Sequence, residues 1–149
     1  MKRLIQALIA TVFLGVSAMA EIVQQPATGS VSEVADRLEA AVTNAGATVF
    51  ARVDHGAGAE SVGMDLAPAQ LLIFGNPKLG TPAIQADPRA GLYLPLRVLI
   101  YEDSEGQVQV AYEEPGAMLG DLEVPGDAEF IGRMNGALQN LTGKAIGGS

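Results

Sequence analysis

Two amphipathic helical segments, one towards each end of the chain, enclose four short strand-like segments, and this order restricts the fold to a few arrangements. The first helix is predicted from about Val31 to Ala45. Val34, Leu38, Ala41, Val42 and Ala45 recur at helical spacing, with Asp36, Arg37, Glu39 and Asn44 between them. Ser30 and Glu33 have the spacing of a capping box, and Gly46 supplies the left-handed position that ends the helix. Glu21 to Gln25, before Pro26, reads as a first strand. Ala47–Asp54, Gln70–Phe74, Leu92–Tyr101 and Gln107–Tyr112 read as four more. His55–Ala59 is expected as a small-residue loop, followed by a short turn over Ala59–Met64. Thr81 and Pro82 are expected to start a short helix ending near Ala86. Pro95 inside the fourth strand argues for an edge or a bulge there. Glu102–Gly106 is a hairpin turn. A weak turn is expected over Ala117–Glu123. The last helix is expected over Ala128–Leu141 with Asp127 as its cap, and residues 143–149 as a frayed tail.

Short turns between sequential strands give an antiparallel sheet, and two amphipathic helices cover one face of it. The expected fold is therefore a two-layer α+β domain of order β-α-β-β-β-β-α. The other sheet face is left to solvent or to a partner. Phe50, Tyr101 and Tyr112 are candidates for that face, and its burial in a homodimer is expected.

The first 20 residues read as a leader rather than as part of the domain at 21–149. Lys2 and Arg3 precede the apolar run Leu4–Val16, and Ala18 and Ala20 form a small-residue cleavage site. The run is shorter than the roughly 20 residues a spanning helix needs. The expected product is an exported, soluble, periplasmic protein with no membrane insertion after cleavage. The full chain of 149 residues carries a formal net charge of −8; without the leader, 7 basic and 17 acidic side chains remain, a net −10 over 129 residues. Such a chain is poorly suited to phosphate backbones, so no nucleic-acid partner is expected. There is no cysteine and one histidine. Disulfides, thiolate nucleophiles, iron–sulfur clusters and sites needing two imidazoles from one chain are excluded.

His55 is the one side chain whose ordinary proton equilibrium lies near neutrality. It follows Asp54 at a strand end, and Gly56 and Gly58 would let a ligand approach closely. Those glycines form neither a phosphate loop nor a dinucleotide fingerprint. Gly75-Asn76-Pro77-Lys78 is the second candidate. Asn76 can define the turn, Lys78 can balance a carboxylate or phosphate, and Thr81 at a helix start can add an anion-binding end. If the two strand ends converge, His55, Asn76 and Lys78 share one ligand pocket, to which Thr81 adds its anion-binding end. Asp54, Glu60 and Asp65 near His55 lack the loop spacing of a calcium site, so no metal and no cofactor is expected. Ser61 near His55 lacks a nucleophile elbow.

The segment from Val49 to Tyr112 resembles a known family. The residues that carry the resemblance are Val49–His55, Ala59–Met64 and Leu71–Thr81, then Leu94-Pro95-Leu96 and Tyr101-Glu102-Asp103 with Gly106. Together they are similar to the bacterial domain-of-unknown-function family 302. The resemblance implies a compact α+β domain in the fold class of the TATA-box binding protein, without DNA binding, and no established activity. It also implies that the family's polar positions fall on His55, Asn76 and Lys78. The leading expectation is an exported binding or accessory domain holding a small anion near these residues. A hydrolase or isomerase with His55 as general base, and a structural envelope or stress domain without a ligand, are the alternatives.

Overall fold

The computed structural model describes residues 21–147, and the leader expected over 1–20 lies outside them. Five strands form one antiparallel sheet: β1 (Ile22–Pro26), β2 (Thr48–Asp54), β3 (Ala69–Gly75), β4 (Leu96–Glu102) and β5 (Val108–Glu113). Their spatial order is β1-β5-β4-β3-β2. The last four form a meander, and β1 closes on its far side, with Ile22 opposite Glu113 and Gln25 opposite Val110. The fold is the two-layer α+β arrangement read from the sequence.

Helix α1 (Val31–Asn44) connects the two edge strands. Fourteen residues at 1.5 Å per residue make about 21 Å, close to the roughly 19 Å across five strands. Its start has the anticipated capping box: Glu33 N–H donates to Ser30 Oγ at 3.3 Å, and Ser30 N–H donates to Glu33 Oε2 at 2.8 Å. Gly46 follows at φ +73°. Val34, Leu38 and Val42 face Leu72 and Phe74 of β3, Val98 and Ile100 of β4 and Val110 of β5 within one core. Arg52 on β2 ties the sheet edge to α1, its guanidinium 2.6 Å from Asp36 and 3.2 Å from Glu39.

Helix α5 (Glu129–Ile146) lies beside α1 and closes the core with Ile131, Met134, Leu138, Leu141 and Ala145. It continues past Leu141, where fraying was expected, because Thr142 and Ala145 are fully buried. Arg37 Nε also donates to the Ala145 carbonyl at 2.8 Å. Ala128, rather than Asp127, is its cap, with no side-chain bond to the helix amides.

Three further short helices interrupt the expected order. Helix α2 (His55–Ser61) occupies the predicted loop, since Asp54 caps it by accepting from Ala57 N–H at 2.9 Å. Helix α3 (Pro77–Ala86) begins four residues before Thr81. Helix α4 is the single turn Pro115–Met118. The fourth strand starts at Leu96 instead of Leu92, because Pro88–Leu92 wind into a 3-10 turn. Pro95, in a cis peptide with Leu94, therefore precedes a central strand rather than interrupting an edge one. The hairpin is as expected: Asp103 Oδ1 accepts from the Glu105 and Gln107 amides, and Gly106 takes φ +76°.

Helices α1 and α5 lie on one sheet face. The opposite face carries Tyr101, half-buried. Tyr112 does not belong there: it has the parity of Val108 and Val110 and is 6 % exposed within the core. Phe50 sits at a bulge, the register slipping between Val49 and Ala51, and is 58 % exposed at the end of the sheet.

Candidate functional site

The antiparallel register separates the residues that the sequence reading placed in one pocket. Asp54 lies opposite Gln70, and Thr48 opposite Gly75. His55 therefore follows one end of the β2–β3 pair, and Asn76 follows the other. Six strand residues at about 3.3 Å put roughly 20 Å between the two ends. His55 opens α2 as an exposed residue. The expected convergence fails because consecutive antiparallel strands have their C-terminal ends on opposite sides of the sheet.

At the Asn76 end, β3 turns into α3. Asn76 Oδ1 accepts from Lys78 N–H at 3.0 Å and caps the helix, with Pro77 in the first helical position. The carboxamide thus takes an amide that an anion at this helix start would use. Pro82 lies inside α3, so no amide reaches back from it to the Lys78 carbonyl. Lys78 points away as an exposed side chain, and Thr81 lies midway along the helix rather than at its start.

Beside this turn is a cleft of about 250 Å³. Its wall is largely apolar: Phe50, Leu79, Ile84, Leu94, Pro95 and Met134, with Asn76 and Thr81 contributing polar groups. Two of the four sequence candidates, Asn76 and Thr81, line it; His55 and Lys78 do not. Two glycines, Gly75 and Gly80, are part of its lining. A Cβ on Gly75 would meet Pro95 at 3.4 Å and the Phe50 ring at 3.6 Å, and one on Gly80 would meet Leu94 at 3.7 Å. A larger side chain at either position would extend into the opening. The sequence reading passed over Gly80, Ile84 and Met134. Only the pairing of Phe74 with Leu96 brings the Pro95 loop against the Gly75 turn, and no local pattern encodes that register.

Two carboxylates elsewhere, the buried Asp87 and the half-buried Glu114, serve the scaffold. Asp87, 4 % exposed, accepts from Arg89 Nε and Nη2, from Arg89 N–H and from Glu123 N–H. The Arg89 guanidinium, helped by those two amides, holds its carboxyl well below the usual range. Burial alone would raise the Glu114 carboxyl, but the Asn135 amide and the Ala117 N–H outweigh it and bring it down. Among the described residues, no cluster of three or more His, Asp or Glu side chains could hold a metal ion. Ser61 Oγ donates to the Gly58 carbonyl within its own helix.

Comparison with known proteins places this geometry in context. The chain is 45% identical over 86 residues, 58% of its length, to a protein of Brucella suis biovar 1 named fluoride-specific ion channel FluC 1. It matches FluC 1 of Brucella abortus biovar 1 and FluC 2 of Brucella melitensis biotype 1 at the same identity and length. The match spans 32–34% of those relatives, so this chain corresponds to about a third of each. Among solved structures it resembles an uncharacterized conserved DUF302 protein from Bacillus stearothermophilus, with TM-score 0.75 and 18% identity, over 83% of this chain and 97% of that one. At that identity the likeness speaks for the fold. The model for the domain of unknown function DUF302 matches residues 23–141, nearly the whole described domain, and the chain belongs to that family.

Proposed function

We propose that this protein is an exported accessory domain that binds a small, largely apolar molecule in the cleft between the Gly75–Gly80 turn and the Pro95 loop. The glycine-lined opening carries the reading. Apolar walls with a few placed polar groups are the usual make-up of a small-molecule site. A cavity of about 150 Å³ takes benzene, so by proportion this one suits about ten non-hydrogen atoms. Asn76 and Thr81 would orient a single polar end of such a ligand. An anion as the principal ligand is less well supported, since Lys78 and His55 stand outside the cleft. A general-base role for His55 would need a cavity at His55, and the cleft lies at the other end of the sheet.

The leader pattern and the relatives together support a place of action beside a membrane. The matched stretch is a third of proteins named as ion channels. Among the described residues, no helix is long and apolar enough to cross a membrane. The domain would then serve a membrane transport protein as a companion module, with conduction residing in other parts of those relatives.

Titration of isotope-labelled protein with indole and with hexanoate, followed by amide and methyl NMR, tests the cleft. Shifts are expected at Gly75, Gly80, Leu94 and Met134 and not at His55. Gly80→Leu is expected to weaken binding at least tenfold. Gly80→Ala should narrow the cleft yet stabilise the fold by about 0.5–1 kcal/mol, since alanine is the better helix residue. That combination separates loss of binding from loss of structure. Absence of cleft shifts with both probes, or equal binding by Gly80→Leu, would overturn the proposal.

A further inference from the structure

We infer that the uncovered face of the sheet is a self-association surface whose occupant is a second copy of this chain. The register sets Leu99 opposite both Ala111 and Leu71, Leu71 opposite Val53, and Ile73 opposite Ala51. These six residues form one apolar field across four strands, on the side away from the helices. Contiguous apolar surface of this kind marks contact sites. Arg97 and Glu113 are the ionic side chains that the described strands add to this face, and they lie 3.3 Å apart. The face is therefore neutral, on a chain whose net charge is −8. A nucleic acid would require surplus cations here, and a basic protein surplus anions. Two like copies can meet on a neutral face without repulsion.

The pattern is also self-complementary. A twofold axis running along the strands, midway between β4 and β5, lays β4 of each copy over β5 of the other. Arg97 then faces Glu113 of the other copy, Leu99 faces Ala111, and Tyr101 faces Gln109. Aligned sheets packed about 10 Å apart accommodate this arrangement. This axis also lays β1 of each copy over β3 of the other and leaves β2 beyond the overlap, so four strands about 4.8 Å apart and about 20 Å long project roughly 380 Å². That is below the roughly 800 Å² per partner of a stable interface, so a weak, transient dimer is expected.

Sedimentation velocity of the purified protein from about 1 µM to about 1 mM tests this. The wild type should pass from the mass of one chain to twice that mass. Leu99→Glu should stay a monomer over the whole range, with an unchanged circular dichroism spectrum. Arg97→Glu and Glu113→Arg should each weaken the dimer at least tenfold, and an equimolar mixture of the two should recover it. A wild type that is monomeric throughout, or a Leu99→Glu protein that dimerises equally well, would overturn the inference. Failure of the charge-swapped mixture to recover would overturn the twofold placement.

Discussion

Asp87→Ala is expected to lower the melting temperature by roughly 10 °C, a large loss for a domain of this size. The carboxylate joins three parts of the chain: the end of α3, the 3-10 turn at Pro88–Leu92 and the segment around Glu123. Its removal leaves the Glu123 amide without its acceptor and releases the Arg89 fork. Circular dichroism melts at pH 7 would show this, and a change within about 2 °C would refute it. Acid gives a second readout. Because the folded carboxyl is held low, its stabilisation is complete above the unfolded value near 3.9 and fades as pH falls towards the folded value. The stability gap between wild type and Asp87→Asn should therefore be constant from about pH 7 to pH 5 and close below about pH 4. Asp54 and Asp103 are lowered as well, mainly by the amide of Ala57 and the side chain of Gln109 respectively, so the wild type itself should weaken over the same acid range.

Phe74→Ala should cost about 4 kcal/mol in urea denaturation, within the range for aromatic truncation in a core. Phe74 is 1 % exposed in β3, directly before the cleft glycine Gly75. A domain of this kind has about 5–15 kcal/mol in total, so the variant should be marginally folded. Phe74→Leu, which keeps much of the volume, should lose less than half as much. Similar values for the two would mean that the site collapses around the missing ring.

The features legible in the sequence are those set by local chemistry. The Ser30–Glu33 box, Gly46 and the Asp103–Gly106 turn each concern groups within a few residues, and each is found where the pattern puts it. Helix starts were harder where two candidates compete. Asn76 and Thr81 are both good caps, each followed by a proline; the helix starts at the first of them, with Asn76 Oδ1 accepting from Lys78 N–H and Pro82 inside the helix. Asp54 prevails over two glycines and makes a helix of a predicted loop. Pairing across strands was beyond local reading. The separation of His55 from Asn76, the burial of Tyr112 and the meeting of Gly75 with Pro95 all depend on register. The ligand and the self-association rest on proposals with their own tests.

The placement of β1 bears on how the chain assembles. The meander from β2 to β5 joins near neighbours, whereas Ile22 must find Glu113 across most of the domain. Loop closure and contact order both put such a pairing late. The terminal helix adds to this, since the Thr28 amide bonds to the Ile146 carbonyl and Arg37 to that of Ala145. A chain emerging N-terminus first therefore carries β1 without its partner until β5 arrives, and α1 without its neighbouring helix until α5 arrives. The two ends then lock each other, so the core is completed only when the whole domain is present.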